Sequence, residues 1–210
     1  MIPDQYRTTE QIFPVLIHVS RPPEPEVLNQ HLLGEIEAIR AATPNGKPES
    51  WGCDVYTTMT NAGSLQTLPP FKKLIDFSMM CANYFGEIMC QRYNDRALVM
   101  TSCWLNIYSQ GHSQEIHYHP NHIITGVYFV KAPPGSASLV FHSPYYKSMS
   151  RPELTEETLA NSVAVPYPPS EGDLIIFDSA VRHSVPLHTV LDERISISFN
   201  IALGAPNNGS

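Results

Sequence analysis

From Asp95 onward the chain breaks into short β-rich runs: LVMTSCWLNIYS, SQEIHYH, HIITGVYFV, ASLVFH, SVAVPYP, DLIIFDS, HSVPLHTV and RISISFNIAL. Pro, Gly and Ser turns separate them at close spacing. Many short strands with frequent turns build a sandwich or barrel, and the strand–helix–strand rhythm of a parallel sheet is missing. The expected fold is therefore mainly β (α+β), a double-stranded β-helix of jelly-roll or cupin-like type.

The first 95 residues have a different texture. The run IFPVLIHVS reads as a first strand, broken by Pro22, Pro23 and Pro25. Apolar residues three and four apart predict a helix over Val27 to Ala42. A short strand is expected around Cys53–Thr58. A second helix is expected from about Pro70 to Tyr93, since proline suits a first helical turn. Its broad apolar face includes Leu74, Phe77, Met80, Cys81, Tyr84, Phe85, Ile88 and Met89, with the methionines read as packing. These helices would brace the jelly roll. The expected organisation is one domain over 1–203, with helical support over 1–95 and the core over 96–203, followed by a flexible tail, GAPNNGS, over 204–210. The segment Lys147–Ala160 reads as an insertion between strands, a lid or a solvated loop.

Composition excludes several function classes. With 210 residues, 42% hydrophobic and 16% charged, the chain folds with a substantial core. Its net charge of −7 and lack of a basic run argue against nucleic acid. No stretch is long and apolar enough for a membrane helix, and the N-terminus lacks the pattern of a signal peptide. Cys53, Cys81, Cys90 and Cys103 form no CxxC pair, so reduced thiols in a cytoplasmic protein are expected.

The chemistry concentrates in four residues. His117 and His119 are two apart in an extended segment and so face the same side of a strand, able to clamp one metal ion. His183 follows the buried strand Leu174–Phe177. Arg194 opens RISISFN, where Arg194, Ser196, Ser198 and Asn200 share one face and Ile195, Ile197, Phe199 and Ile201 the other. A core strand with one polar face bounds a wet cavity, and an arginine in it binds a carboxylate through its planar fork. On the run Trp104–Tyr108, Asn106 and Tyr108 line the same cavity in this reading. Imidazole ligands suit Fe, Zn, Cu and Ni, and the lack of nearby thiolates argues against a structural zinc.

The order HYH, GVYFV, GDLIIFDS, His183 and then Arg194 eleven residues later resembles the Fe(II)/2-oxoglutarate-dependent dioxygenase superfamily. It is most similar to a bacterial and phage-associated group of 2-oxoglutarate/iron oxygenases, over about Ser102 to Leu203. The resemblance implies Fe(II) and 2-oxoglutarate as cofactor and co-substrate, with no catalytic residue beyond the metal site. It carries the first iron ligand to His117 and the distal one to His183. It also implies that Arg194 holds the C5 carboxylate of 2-oxoglutarate with help from Ser196, while Asn106 or Tyr108 sits near the other end. The departure is His119, where most members have Asp or Glu. A three-histidine site is favoured, with Glu115 or Asp178 as alternative carboxylates. His112, His122 and His188 are read as surface or supporting groups.

The resemblance implies uptake of O2, release of succinate and CO2, and hydroxylation of a small metabolite or amino-acid-like substrate, with desaturation or ring formation as variants. A homodimer is allowed for. Two rivals stand beside this reading. Gly111 and, after five intervening residues, His117-x-His119 match the start of the cupin pattern, as in three-histidine oxygenases that do not use 2-oxoglutarate. There, however, Ile123 and Ile124 occupy the place of an expected glutamate. The other rival is a non-catalytic jelly-roll binding module.

Overall fold

The computed structural model describes residues 8–10, 12–145 and 152–206. Ten strands and two helices follow in the order β1 (Ile17–Ser20), α1 (Pro25–Ala42), β2 (Tyr56–Thr57), α2 (Lys72–Ile88), β3 (Leu98–Tyr108), β4 (Gln114–His117), β5 (Ile124–Lys131), β6 (Leu139–His142), β7 (Ala164–Tyr167), β8 (Leu174–Asp178), β9 (His183–Val185) and β10 (Arg194–Leu203). They form two sheets, β1-β8-β5-β10-β3-β2 and β4-β9-β6-β7. Every strand pairing within them is antiparallel. This is the expected double-stranded β-helix.

The alternation along β10 and β3 determines how the layers stack. In register, Arg194 lies opposite Tyr108, Ser196 opposite Asn106 and Ser198 opposite Trp104. This face looks inward toward the smaller sheet. The other face carries Leu105, Ile107, Ile195, Ile197, Phe199 and Ile201, and it shares a core with Leu28, Leu32 and Ile36 of α1 and Leu74, Cys81 and Phe85 of α2. The helices thus cover the back of the larger sheet and leave its polar face to the cavity. Tyr128 ties α1 to β5 by donating to Asn29 Oδ1 at 2.7 Å. Between the sheets, Val127, Phe129, Phe141, Ile175 and Phe177 fill a second core.

Several elements differ in extent from the sequence expectation. Only Ile17–Ser20 of IFPVLIHVS is strand, because Pro14 has no N–H to give a ladder and Phe13 takes φ 59°. Helix α2 starts at Lys72, after Pro69–Phe71 make a 3₁₀ turn. It stops at Ile88 instead of Tyr93, with Cys90 at φ 51°. Met80 and Tyr84 are exposed, so the buried face of α2 is narrower than the pattern suggested and Met80 is not packing. In HSVPLHTV only His183–Val185 is strand. Of the Lys147–Ala160 insertion, 147–151 lie outside the described residues, as do 207–210 of the tail. Among the described residues no helix is long and apolar enough to cross a membrane.

Candidate metal centre

Strand β4 ends at His117 and β9 begins at His183, and the two residues are direct cross-strand partners. That register brings together histidines far apart in sequence. The chain then runs two residues past β4 to His119, whose N–H donates to the Ser179 carbonyl at 3.0 Å. Ligand-type nitrogens of the three side chains lie within 4.8 Å of one another. Ring centroids are 4.3 Å apart for His117 and His183, and 5.2 Å for each with His119.

Hydrogen bonds fix two of the tautomers. Nδ1 of His117 is 2.8 Å from the Glu115 carbonyl, and Nδ1 of His183 is 3.0 Å from the Val181 carbonyl. A carbonyl can only accept, so each Nδ1 carries the proton and each Nε2 keeps a lone pair for a metal. Burial lowers the pKa of all three rings, to about 3 for His119 and for His183, where neighbouring histidines add to the effect. The rings are neutral near pH 7, as metal ligation requires. This donor set fits a divalent iron.

The alternative ligands are placed elsewhere. Glu115 accepts from the Gly52 N–H and from Gln114 Nε2. Asp178 accepts the Ala180 N–H at 2.8 Å. Neither joins the histidine cluster among the described residues. His188 is not a surface group. It is fully buried, accepting the Ala137 N–H on Nδ1 and donating from Nε2 to the Asp192 carbonyl.

The inward face of β10 and β3 forms the other wall of the cavity, which has about 440 Å³ of empty space including its mouth. Arg194 is 1% exposed there, with its guanidinium 4.8 Å from the Tyr108 ring centroid and 4.9 Å from that of Phe129. Ser196 Oγ lies 3.5 Å from its Nη1, and its buried Nε has no partner among the described residues. Among the described residues no carboxylate forms a salt bridge with it. A buried cation without a counter-ion is costly, and a bound carboxylate would complete it. Burial pushes the guanidinium pKa down, while the same burial raises the Tyr108 phenol to about 12.

Asn106 is less available. With its oxygen toward Trp104 Nε1 and Ser198 Oγ (3.2 and 3.1 Å) and its nitrogen toward Thr57 Oγ1 (2.9 Å), the protein satisfies it. It acts as a wall, and Tyr108 stacks on the arginine. Sequence reasoning missed Phe129, which stacks on Arg194 from the other side, and Trp51 and Gln114, which line the cavity. Trp51 comes from the loop before β2, and no local pattern marked it.

Residues 102–200 match the family model described as "Putative 2OG-Fe(II) oxygenase". Over these residues the chain resembles the 2OG-Fe(II) oxygenases. That match points to Fe(II) as cofactor and 2-oxoglutarate as co-substrate. No curated protein matches this sequence. Solved structures share its fold at low identity. A prolyl-4-hydroxylase of Pseudomonas putida is 14% identical with TM-score 0.61, covering 90% of this chain and 93% of that one. AviO1 of Streptomyces viridochromogenes is 14% identical with TM-score 0.60, covering 93% of each chain. HygX of Streptomyces hygroscopicus, solved with nickel, 2-oxoglutarate and hygromycin B, is 10% identical with TM-score 0.60, covering 93% of this chain and 85% of HygX.

Proposed function

We propose that His117, His119 and His183 hold the Fe(II) of this oxygenase and that Arg194 anchors the C5 carboxylate of 2-oxoglutarate, with Ser196 beside it. The observation that carries this is the pairing of two features across one cavity: three neutral imidazoles at one side, and a buried arginine without a counter-ion at the other. When bound, Fe(II) supplies activation of O2 coupled to decarboxylation of 2-oxoglutarate to succinate, oxidising a substrate C–H bond. The protein binds, orients and excludes water. Tyr108 and Phe129 sandwich the guanidinium and hold its donors toward the cavity. Asn106, held by Thr57, Trp104 and Ser198, keeps the adjoining wall rigid.

In this reading residues 1–203 work as one domain, with α1 packed on β5 and α2 on β3 and β8 as support. The cytoplasm, where thiols stay reduced, accords with four unpaired cysteines. The substrate is a small polar metabolite, hydroxylated by default. The small cavity lined by Trp51, His117 and Arg194 supports this, as does the likeness to HygX with its bound hygromycin B. A peptidyl substrate is the second reading, favoured by the likeness to prolyl hydroxylases. The ligand assignment is tested by anaerobic Fe(II) loading. Alanine at 117, 119 or 183 should lower iron content sharply, while His119→Asp should retain iron by restoring the more common ligand set. Iron content unchanged in His119→Ala would remove His119 from the site. Succinate release with panels of polar metabolites and of proline-containing peptides separates the two substrate readings.

A further inference from the structure

His119 differs from its two companions in what its second ring nitrogen meets. His117 and His183 each face a backbone carbonyl. Nδ1 of His119 instead faces Asn200 Nδ2 at 3.4 Å. Asn200 Oδ1 is 2.9 Å from Thr125 Oγ1, and that hydroxyl is 3.2 Å from Ser179 Oγ. All three polar residues are nearly fully buried. They form a chain of side chains that ends on the histidine standing where the usual carboxylate ligand is absent.

This chain can be satisfied in two directions. In one, Ser179 donates to Thr125, Thr125 donates to Asn200 Oδ1, and the amide N–H donates to His119 Nδ1. The proton of the neutral ring then sits on Nε2, which cannot bind a metal. In the other, the amide is turned over. His119 Nδ1–H donates to Asn200 Oδ1, the amide donates to Thr125, and Thr125 donates to Ser179. Every group keeps a partner and Nε2 gains a free lone pair. Hydroxyls and an amide can reverse in this way, but a backbone carbonyl cannot.

We propose that Asn200 is the positioning residue for His119, turning its amide so that Oδ1 accepts from Nδ1 when the metal binds at Nε2, with Thr125 and Ser179 reversing in step. The ring is neutral in both arrangements and its net proton count is unchanged. Strand β10 therefore serves both halves of the site, with Arg194 at its start for the co-substrate and Asn200 further along the same face for the metal. The inference rests on the ligand role given to His119 above.

The test is anaerobic titration of the purified protein with Co(II) alone, reading affinity and the visible d–d spectrum. Asn200→Leu keeps the bulk but loses the acceptor, and it should weaken Co(II) by about 10- to 100-fold. Asn200→Asp, which can only accept, should keep near-native affinity and a native-like spectrum. In a His119→Ala background, Asn200→Leu should have no further effect. Native affinity in Asn200→Leu would overturn the inference, and so would a loss that persists without His119. If His119→Ala leaves Co(II) affinity unchanged while His117→Ala and His183→Ala abolish it, the ligand reading itself fails and the inference goes with it.

Discussion

At the residue scale the decisive group is Arg194. Its guanidinium is buried between two aromatic rings with its Nε unpartnered, so removing it should leave the histidine cluster intact. Hydrogen bonds to charged groups contribute about 1.5–3 kcal/mol each. Arg194→Ala should therefore weaken 2-oxoglutarate by at least about 10-fold in equilibrium binding while Fe(II) stays bound, and unchanged co-substrate affinity would refute the role. The histidines make a second prediction. His119 and His183 have folded-state pKa values of about 3, below the ordinary 6.5. Between those values the unfolded chain binds more protons than the folded one, so stability is full above pH 6.5 and falls on acidification. Each ring contributes a slope of up to about 1.4 kcal/mol per pH unit. The melting temperature of the metal-free protein should fall from pH 7.5 to 5, and less steeply in a His183→Gln variant. Parallel profiles for the two proteins would contradict this.

At the element scale, the close approach of β5 and β10 requires a glycine. Gly126 lies directly opposite Phe199, and a Cβ there would run into the Phe199 ring. Overpacking of this kind costs about 1–3 kcal/mol. Gly126→Ala should lower the urea midpoint with an unchanged slope, and an unchanged midpoint would show that the ring moves freely. The alternating faces of β3 and β10 were legible in the sequence because a strand's period of two exposes them directly. Arg194 and Ser196 could be placed in a cavity, and Ile195 and Ile197 at its back, from the order of residues alone. The ends of elements were harder to read. Helix α2 stops where backbone at Cys90 turns to positive φ, which no apolar spacing reveals. Strand β9 stops at Pro186, and the chain then returns so that the Gly111 N–H donates to the His188 carbonyl and the His188 N–H donates to the His112 carbonyl. His188 is buried by that return, not by any pattern around it.

At the scale of the whole molecule, the site exists because two sheets close over a cavity whose walls come from distant parts of the chain. His117 meets His183 through strand pairing, and Trp51 reaches the cavity from the loop before β2. The site's chemistry was legible because residue types and their order survive in sequence. Its long-range walls and the contact of Asn200 with His119 were not, because they depend on how sheets and loops meet in space. The account stands on one claim, that iron and 2-oxoglutarate share this cavity. Anaerobic titration of the Fe(II)-loaded protein with 2-oxoglutarate, followed by visible absorption, tests it most directly. A weak charge-transfer band that grows and saturates with 2-oxoglutarate, and needs far more of it in Arg194→Ala, is the predicted result. No band at saturating 2-oxoglutarate, with iron demonstrably bound, would contradict the account.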